Sequence, residues 1–272
     1  MFSSQPQQKD QARKPRFASQ LLVGLAHFTY QQAMSCLFPV FIFLLLALSP
    51  HIPIPFLHRY DVLLLGCLLM QWIMYRTGLE TKDEVKVIAL FHIIGLALEL
   101  FKVHMGSWAY PEAAWTKFFG VPLYSGFMYA SVASYLCQAW RRMDVRLLGW
   151  PQAWLTVPLG TAVYLNFFVH HFWIDIRWWL TGAIFLVFLP TFVQFRVQHH
   201  VLKMPLSLSF FLIGFFVWIA ENIATFFGAW KYPNQAETWH LVGLGKISSW
   251  FLLVIISFLI VAQLKHVKER LN

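Results

Sequence analysis

Eight apolar segments, each 17 to 23 residues long, follow one another along the chain of 272 residues. About 17–25 apolar residues suffice for a helix to cross the hydrocarbon core of a bilayer. Because no water is present there to satisfy backbone polar groups, such segments fold as helices. We therefore predict an all-α fold, a polytopic transmembrane helical bundle of about eight helices. The predicted spans are residues 32–49, 60–76, 86–105, 119–140, 153–170, 177–196, 206–228 and 246–265.

The composition excludes an ordinary soluble domain, because 58% of the residues are hydrophobic and only 12% are charged. The net charge of +9 is explained by topology and does not call for nucleic acid as a partner. Of the 21 Lys and Arg residues, 15 lie in the two tails and in alternate loops. The positive-inside rule then predicts a multi-pass protein of the cell membrane with both termini in the cytoplasm. Residues 1–20 are predicted to be a disordered cytoplasmic tail.

Two stretches of the chain, 122 residues apart, share the pattern Glu-x6-Gly-x-Trp-x-Tyr-Pro. We call them the first motif (residues 99–111) and the second motif (residues 221–233). Shifting the first four predicted spans by the same 122 residues brings them close to the last four. The sequence thus predicts two parallel four-helix repeats, residues 21–146 and 147–272, related by a pseudo-twofold axis along the membrane normal.

Each motif begins with a glutamate inside a predicted span, where an ionisable group is costly and by default suggests a functional site. Glu99 shares its helix face with His92, Lys102 and two glycines, and such a face is expected to point into the bundle. We predict that Glu99 and Glu221 face a central cavity as acid/base groups. Lys102 would favour an ionised Glu99, and Glu221, with no basic residue within one turn, would be the acid. Alternatively, each glutamate caps backbone groups or holds helices together.

The candidate catalytic residues are Glu99, Glu221, Lys102 and His92. For His92, packing inside the bundle is the alternative. The candidate substrate-binding residues are Trp108, Tyr110, Trp230, Tyr232, Asn222, Thr225 and Tyr124. In both motifs glycine is expected to end the helix and proline to block its continuation, while Trp and Tyr are typical of membrane interfaces. Interface anchoring is therefore the alternative role for the four motif aromatics.

Two histidine pairs raise the question of a metal site. One pair, His170 and His171, is followed by Asp175, and the other is His199 with His200. Neighbouring residues on a helix point about 100° apart, and neither pair belongs to an H-x-x-H-H or H-E-x-x-H pattern. We predict no metal site and no cofactor.

The segment from His92 to Tyr129 continues the first motif with Phe-Gly-Val-Pro-Leu. It resembles the YoaT-like family of uncharacterised bacterial integral membrane proteins, and the resemblance extends over most of the chain. More distantly, the segment is similar to membrane lycopene cyclases and carotenoid hydratases. That resemblance implies that Glu99 and Glu221 protonate an isoprenoid double bond without an organic cofactor. Cyclases continue with paired glutamates where this chain has Tyr124 and Ser125, which argues against cyclisation of lycopene itself.

The predicted function is therefore a lipid- or isoprenoid-modifying enzyme that applies general acid/base chemistry to a hydrophobic small molecule within the bilayer. The alternative is a transporter or lipid-binding membrane protein with protonatable glutamates at the repeat interface. A purely structural or interaction role is a third possibility.

Overall fold

A computed structural model describes residues 17–52 and 54–271, most of them in helices. The helices within these residues are α1 (Phe17–Ser35), α2 (Leu37–Leu48), α3 (Arg59–Arg76), α4 (Lys82–His104), α5 (Ser125–Arg142), α6 (Ala153–Val169), α7 (Arg177–Phe188), α8 (Leu206–Phe226) and α9 (Lys246–Leu271). The strands are β1 (Lys117–Phe118), β2 (Val121–Pro122), β3 (Arg146–Leu148), β4 (Phe192–Val197) and β5 (His200–Pro205). Residues 1–16 of the predicted tail lie outside the described part, and helix α1 already begins at Phe17.

Two helices of the described chain, α4 and α8, are by length and composition able to cross a membrane. The pair α1 and α2 would make a third span if it is counted as one crossing, with a bend of 63°. Helices α6 and α7 and residues Lys246–Ala262 of α9 are apolar but shorter. This set of helices is compatible with membrane association, and fewer of them meet the length criterion than the eight predicted.

The bend between α1 and α2 has a local cause. Pro39 has no N–H to donate, and its ring collides with the carbonyl four residues earlier, that of Ser35. Helix α1 ends at this residue, and α2 starts again at Leu37. The predicted first span, residues 32–49, is therefore not one straight helix.

The all-α prediction is wrong for two parts of the chain. Strands β3, β4 and β5 form an antiparallel sheet in that order, in which Leu148 pairs with Phe192 and Val193 with Met204. The predicted sixth span, 177–196, stays helical only to Phe188, because Pro190 follows and cannot continue the helix.

The predicted fourth span, 119–140, begins as a hairpin. Strands β1 and β2 pair there, and Phe119 and Gly120 between them have φ of +48° and +83°. A turn with two positive φ values matches the twist of a hairpin. Helix α5 starts only at Ser125.

Helices α4 and α5 approach each other closely at Gly95. A Cβ atom added there would lie 2.5 Å from Cγ and from Cδ2 of Tyr129. We expect Gly95→Ala to lower the free energy of unfolding by about 1–3 kcal/mol through overpacking. Chemical unfolding in mixed micelles checks this value. Gly182, inside α7, is the matched control because nothing lies within 4 Å of its added Cβ. Gly182→Ala should change nothing or stabilise by up to about 1 kcal/mol. Equal effects of the two changes would contradict the expected overpacking at Gly95.

Candidate functional site

Helices α4 and α8 end in the same way, and this fixes the position of the two motifs. Gly106 and Gly228 both have a φ of +69°, in the left-handed region that glycine adopts at helix ends. The amide that follows each glycine donates to the carbonyl five residues back, at 2.9 Å in the first motif and 3.0 Å in the second. Glycine thus ends both helices, as the pattern predicts.

The two motifs contact each other directly. Ala109 and Lys231, which hold the same position in the two motifs, form an antiparallel bridge in which each N–H donates to the other carbonyl at 2.9 Å. The rings of Trp108 and Tyr232 meet edge to face with their centres 5.9 Å apart. These contacts bring the ends of α4 and α8, and the glutamates one to two turns before those ends, to the same region.

Glu99 is held by three aromatic donors. The indole Nε1 of Trp108 and the hydroxyl of Tyr110 donate to Oε2 at 2.7 Å and 2.8 Å, and the hydroxyl of Tyr129 donates to Oε1 at 2.7 Å. The residue is 4% exposed. Because a buried polar group without partners is costly, these three bonds are what make burial of this carboxyl tolerable.

Glu221 has a similar but smaller set of donors. Its Oε1 accepts from the hydroxyl of Tyr232, and its Oε2 accepts from Nε1 of Trp250 at 2.5 Å. The residue is 3% exposed. Trp250 from α9 supplies the indole donor here, so the two motifs differ in the role of their own tryptophan. Trp230 is buried beside the same cavity.

A cavity of about 770 Å³ has both glutamates in its wall. Trp108, Tyr129, Trp230, Tyr232 and Trp250 also line this large cavity, whereas Tyr110, which donates to Glu99, is not among the lining residues. Most of the remaining wall is apolar and comes from α1, α2, α5, α8 and α9, for example Phe28, Phe43, Leu136, Phe216 and Val254. The structure thus places the two glutamates that the sequence singled out in the wall of one largely apolar cavity.

A second cavity, of about 480 Å³, adjoins the first. The two share Trp108, Tyr129, Glu221, Tyr232, Trp250 and Leu253. The wall of the second cavity is more polar than that of the first, and we call the second cavity the basic vestibule. Its polar lining includes Lys102, Asn166, His170, Arg177, Lys246 and Ser249.

The sequence predicted that Lys102 acts on Glu99, but in the structure its partners are two histidines. Its Nζ lies 2.8 Å from Nε2 of His171 and 3.4 Å from Nε2 of His170, and it does not reach Glu99. Burial, together with the positive charges of Lys102, His170 and Lys246, lowers the pKa of His171 to about 4. The ring is therefore neutral at pH 7, and its Nε2 can accept a hydrogen bond from the lysine ammonium. A long side chain on a shared helix face can thus turn away from its neighbour.

Glu221 has no basic residue within one turn of its own helix, but a basic residue from another helix lies near it. Lys246, the first residue of α9, interacts electrostatically with Glu221. Its Nζ lies 4.7 Å from the ring centre of Tyr232 and 5.8 Å from that of Trp108, within the range of cation–π attraction. The residue is 25 positions beyond Glu221 in sequence, so no local spacing rule could have paired them.

Besides Tyr110, three more candidate substrate-binding residues do not line either cavity. Asn222 accepts from the N–H of Val242 at 2.8 Å, and Thr225 accepts from the indole of Trp239 at 3.2 Å. Both therefore fix the loop after the second motif onto α8. Thr225 lies on the same helix face as Glu221, one turn nearer the end of the helix. Tyr124 donates to the carbonyl of Ala229 and so ties α5 to the second motif.

His92, a candidate catalytic residue, lies away from the glutamates. Its ring packs against that of Phe127 with centres 4.5 Å apart, beneath Gly126. This is the packing alternative that the sequence left open.

The histidine pair before Asp175 contacts Lys102, a residue of the vestibule wall. His170 and His171 both face Lys102, whereas Asp175 accepts from Nε of Arg177 at 2.5 Å and from Nδ2 of Asn166 at 3.2 Å. Among the described residues, no group of three or more His, Cys, Asp or Glu is arranged to hold a metal ion.

Sequence reasoning missed two donors to the glutamates, Tyr129 and Trp250. A signal existed, because Tyr129 follows Glu99 by 30 residues and Trp250 follows Glu221 by 29. The 122-residue shift therefore almost superimposes the two aromatic donors on each other.

These observations define a mostly helical class of protein, with helices compatible with membrane association and two buried carboxyl groups at one largely apolar cavity. The chain belongs to the family described as "Protein of unknown function (DUF817)", which it matches over residues 24–258. It is 68% identical over 246 residues to the uncharacterised protein YoaT of Bacillus subtilis (strain 168). That alignment covers 90% of this chain and 93% of the relative. No solved structure matches.

Proposed function

We propose that this protein is an integral membrane enzyme that modifies a lipid or isoprenoid by general acid/base chemistry at Glu99 and Glu221. One observation carries the proposal. Both carboxyl groups, each oriented by aromatic N–H and O–H donors, line the same largely apolar cavity of about 770 Å³. Its volume lies within the roughly 300–1,000 Å³ typical of small-molecule pockets.

The proposed reaction uses one glutamate as a carboxylic acid and the other as a carboxylate. Proton transfer from the acid to a double bond of the substrate leaves a carbocation and a new carboxylate. The other glutamate then removes a neighbouring proton, so that an alkene forms again and one proton has moved in each direction. Aromatic rings in the cavity wall stabilise the cation by about 0.5–2 kcal/mol each.

The hydrogen bonds support a division of roles. Glu99 accepts three hydrogen bonds, an arrangement that stabilises a carboxylate and suits the base. Glu221 accepts two and borders both cavities, which suits the acid that meets the substrate. The charge of Lys246 opposes this assignment unless an anion offsets it.

We also propose that the chain crosses the membrane eight times, as two parallel repeats with both termini in the cytoplasm. Contacts that recur after 122 residues support the repeat. Both helices end at equivalent glycines, the motifs pair through equivalent residues, and each motif tyrosine donates to the glutamate eleven residues before it.

The proposal is tested by comparing lipid extracts of cells that lack the gene with those of cells that carry it on a plasmid. Unbiased mass spectrometry should detect a precursor that accumulates without the gene and a product that returns with it. Because acid/base chemistry adds no other atoms, precursor and product should be isomers or differ by water. Identical lipid profiles would contradict an enzymatic role.

A transporter or lipid-binding protein is the second candidate, and the continuity of an apolar cavity with a basic one favours it specifically. Such a protein would leave the total lipid composition unchanged. It would instead alter the pH-dependent flux of an amphiphile across vesicles that contain the purified protein.

A further inference from the structure

Basic side chains outnumber acidic ones in the vestibule. Lys102 comes from the end of α4, Arg177 is the first residue of α7, and Lys246 is the first residue of α9. Glu221, in the wall shared with the large cavity, is the acidic residue among the described residues that line the vestibule, and Asp175, which does not line it, is paired with Arg177. The vestibule therefore keeps a positive excess.

The two lysines have no carboxylate within ion-pair distance in the described part of the chain. Lys102 is only 5% exposed, and its ammonium is held by two imidazoles. The ammonium of Lys246 lies over two aromatic rings. Burying a positive charge without an anionic partner is costly, so a bound anion would relieve the cost at both residues.

Two helix ends add to this field. The N-termini of α7 and α9, which carry partial positive charge, both open on the vestibule. A basic residue at a helix N-terminus is electrostatically unfavourable, and here two occur side by side, at Arg177 and Lys246. Several cations around one space are a usual element of a phosphate site.

We propose that the basic vestibule binds the phosphate head group of an amphiphilic substrate whose apolar tail occupies the large cavity. This inference rests on the proposed function, since it assigns a head group to the molecule on which the glutamates act. The two cavities meet at Glu221, Tyr232 and Trp250. The reacting carbon would therefore lie near the head of the molecule.

A bound phosphate would also prepare the site for acid catalysis. It would offset the charge of Lys246, which otherwise favours an ionised Glu221. The acid would then be present only when a substrate with the right head group is bound.

Calorimetry tests the inference. It measures the binding of farnesyl phosphate to the purified protein in a nonionic detergent. Lys102→Gln and Lys246→Gln should each weaken binding by about 10- to 100-fold, the loss expected for one charge-assisted contact. Lys246→Arg keeps the charge and should retain most of the affinity. Lys231→Gln is the matched control, because Lys231 is exposed and adjoins Tyr232 without lining the vestibule.

Farnesol and inorganic phosphate complete the experiment. Farnesyl phosphate should bind at least about tenfold more tightly than either one, because farnesol lacks the phosphate and inorganic phosphate lacks the apolar tail. Inorganic phosphate that binds as tightly as farnesyl phosphate would overturn the proposal and indicate a site for free phosphate. Unchanged affinity for farnesyl phosphate in Lys102→Gln and Lys246→Gln would overturn it as well.

The glutamates separate this inference from the proposed function. Glu99→Gln and Glu221→Gln should still bind farnesyl phosphate, because neither change removes a cation. If the lysine variants lose binding while lipid extracts are unchanged by gene deletion, the head-group site stands and the enzymatic role fails. If the extracts change but the lysine variants bind normally, the enzymatic role stands and the head-group site fails.

Discussion

Replacing Glu221 with glutamine is expected to lower turnover by about 10²- to 10⁴-fold, the contribution typical of one general acid or base. Turnover here means the ratio of product to precursor in lipid extracts of cells that carry the variant gene. Glutamine has nearly the same shape and can still accept from Trp250 while its amide donates to the oxygen of Tyr232. The change therefore removes the exchangeable proton and leaves the hydrogen bonds in place.

Glu99→Gln should have an effect of the same order, because the amide cannot take up the proton that the carboxylate base removes from the substrate. Its carbonyl oxygen can accept from Trp108 and Tyr110, and its amide can donate to the oxygen of Tyr129. Glu237→Gln is the control, because Glu237 is exposed in the loop after the second motif. If the two buried glutamates only hold helices together, both glutamine variants should keep full turnover, and that result would contradict the acid/base proposal.

Sequence patterns predicted the helices well where the residues that start and stop a helix agree with the hydropathy. Helix α4 begins at a Thr81 capping box and ends at Gly106, and both signals are visible in the sequence. Strand β4 was not predicted, because its apolar residues continue the run of α7 without an intervening charge. The available signal was the change at Pro190 from helical periodicity to the alternation of buried and exposed residues in β4.

The candidate site was predictable only where its contacts join residues that are close in sequence. Tyr110 and Tyr232 return to their glutamates because a helix end and a proline turn the chain back within eleven residues. Tyr129, Trp250 and Lys246 come from other helices, and their approach depends on packing that no spacing rule describes. The direction of Lys102 likewise depended on two imidazoles some 70 residues further along the chain.

Arg59 joins the two halves of the chain, and its replacement is expected to cause a large loss of stability. Its Nε donates to Oγ of Ser49 at 2.9 Å. Nη1 donates to Glu112 at 2.6 Å and to the carbonyl of Gly228 at 3.2 Å, and Nη2 donates to the carbonyls of Leu46 at 3.2 Å and Phe227 at 2.6 Å. All five N–H donors of the guanidinium are used, and the side chain is 13% exposed.

We expect Arg59→Leu to lower the free energy of unfolding by about 2–4 kcal/mol, because it leaves buried carbonyls at the ends of α2 and α8 without a donor. Arg59→Lys offers three donors in place of five and should cost about 1–2 kcal/mol. Chemical unfolding in mixed micelles measures both values. Arg76, at the other end of α3, is exposed and lies over the ring of Trp72, so Arg76→Leu should cost less than about 1 kcal/mol. If the two leucine variants unfolded alike, Arg59 would not be the clamp between the halves, and the position of the second motif over α2 and α3 would have to depend on its aromatic contacts alone.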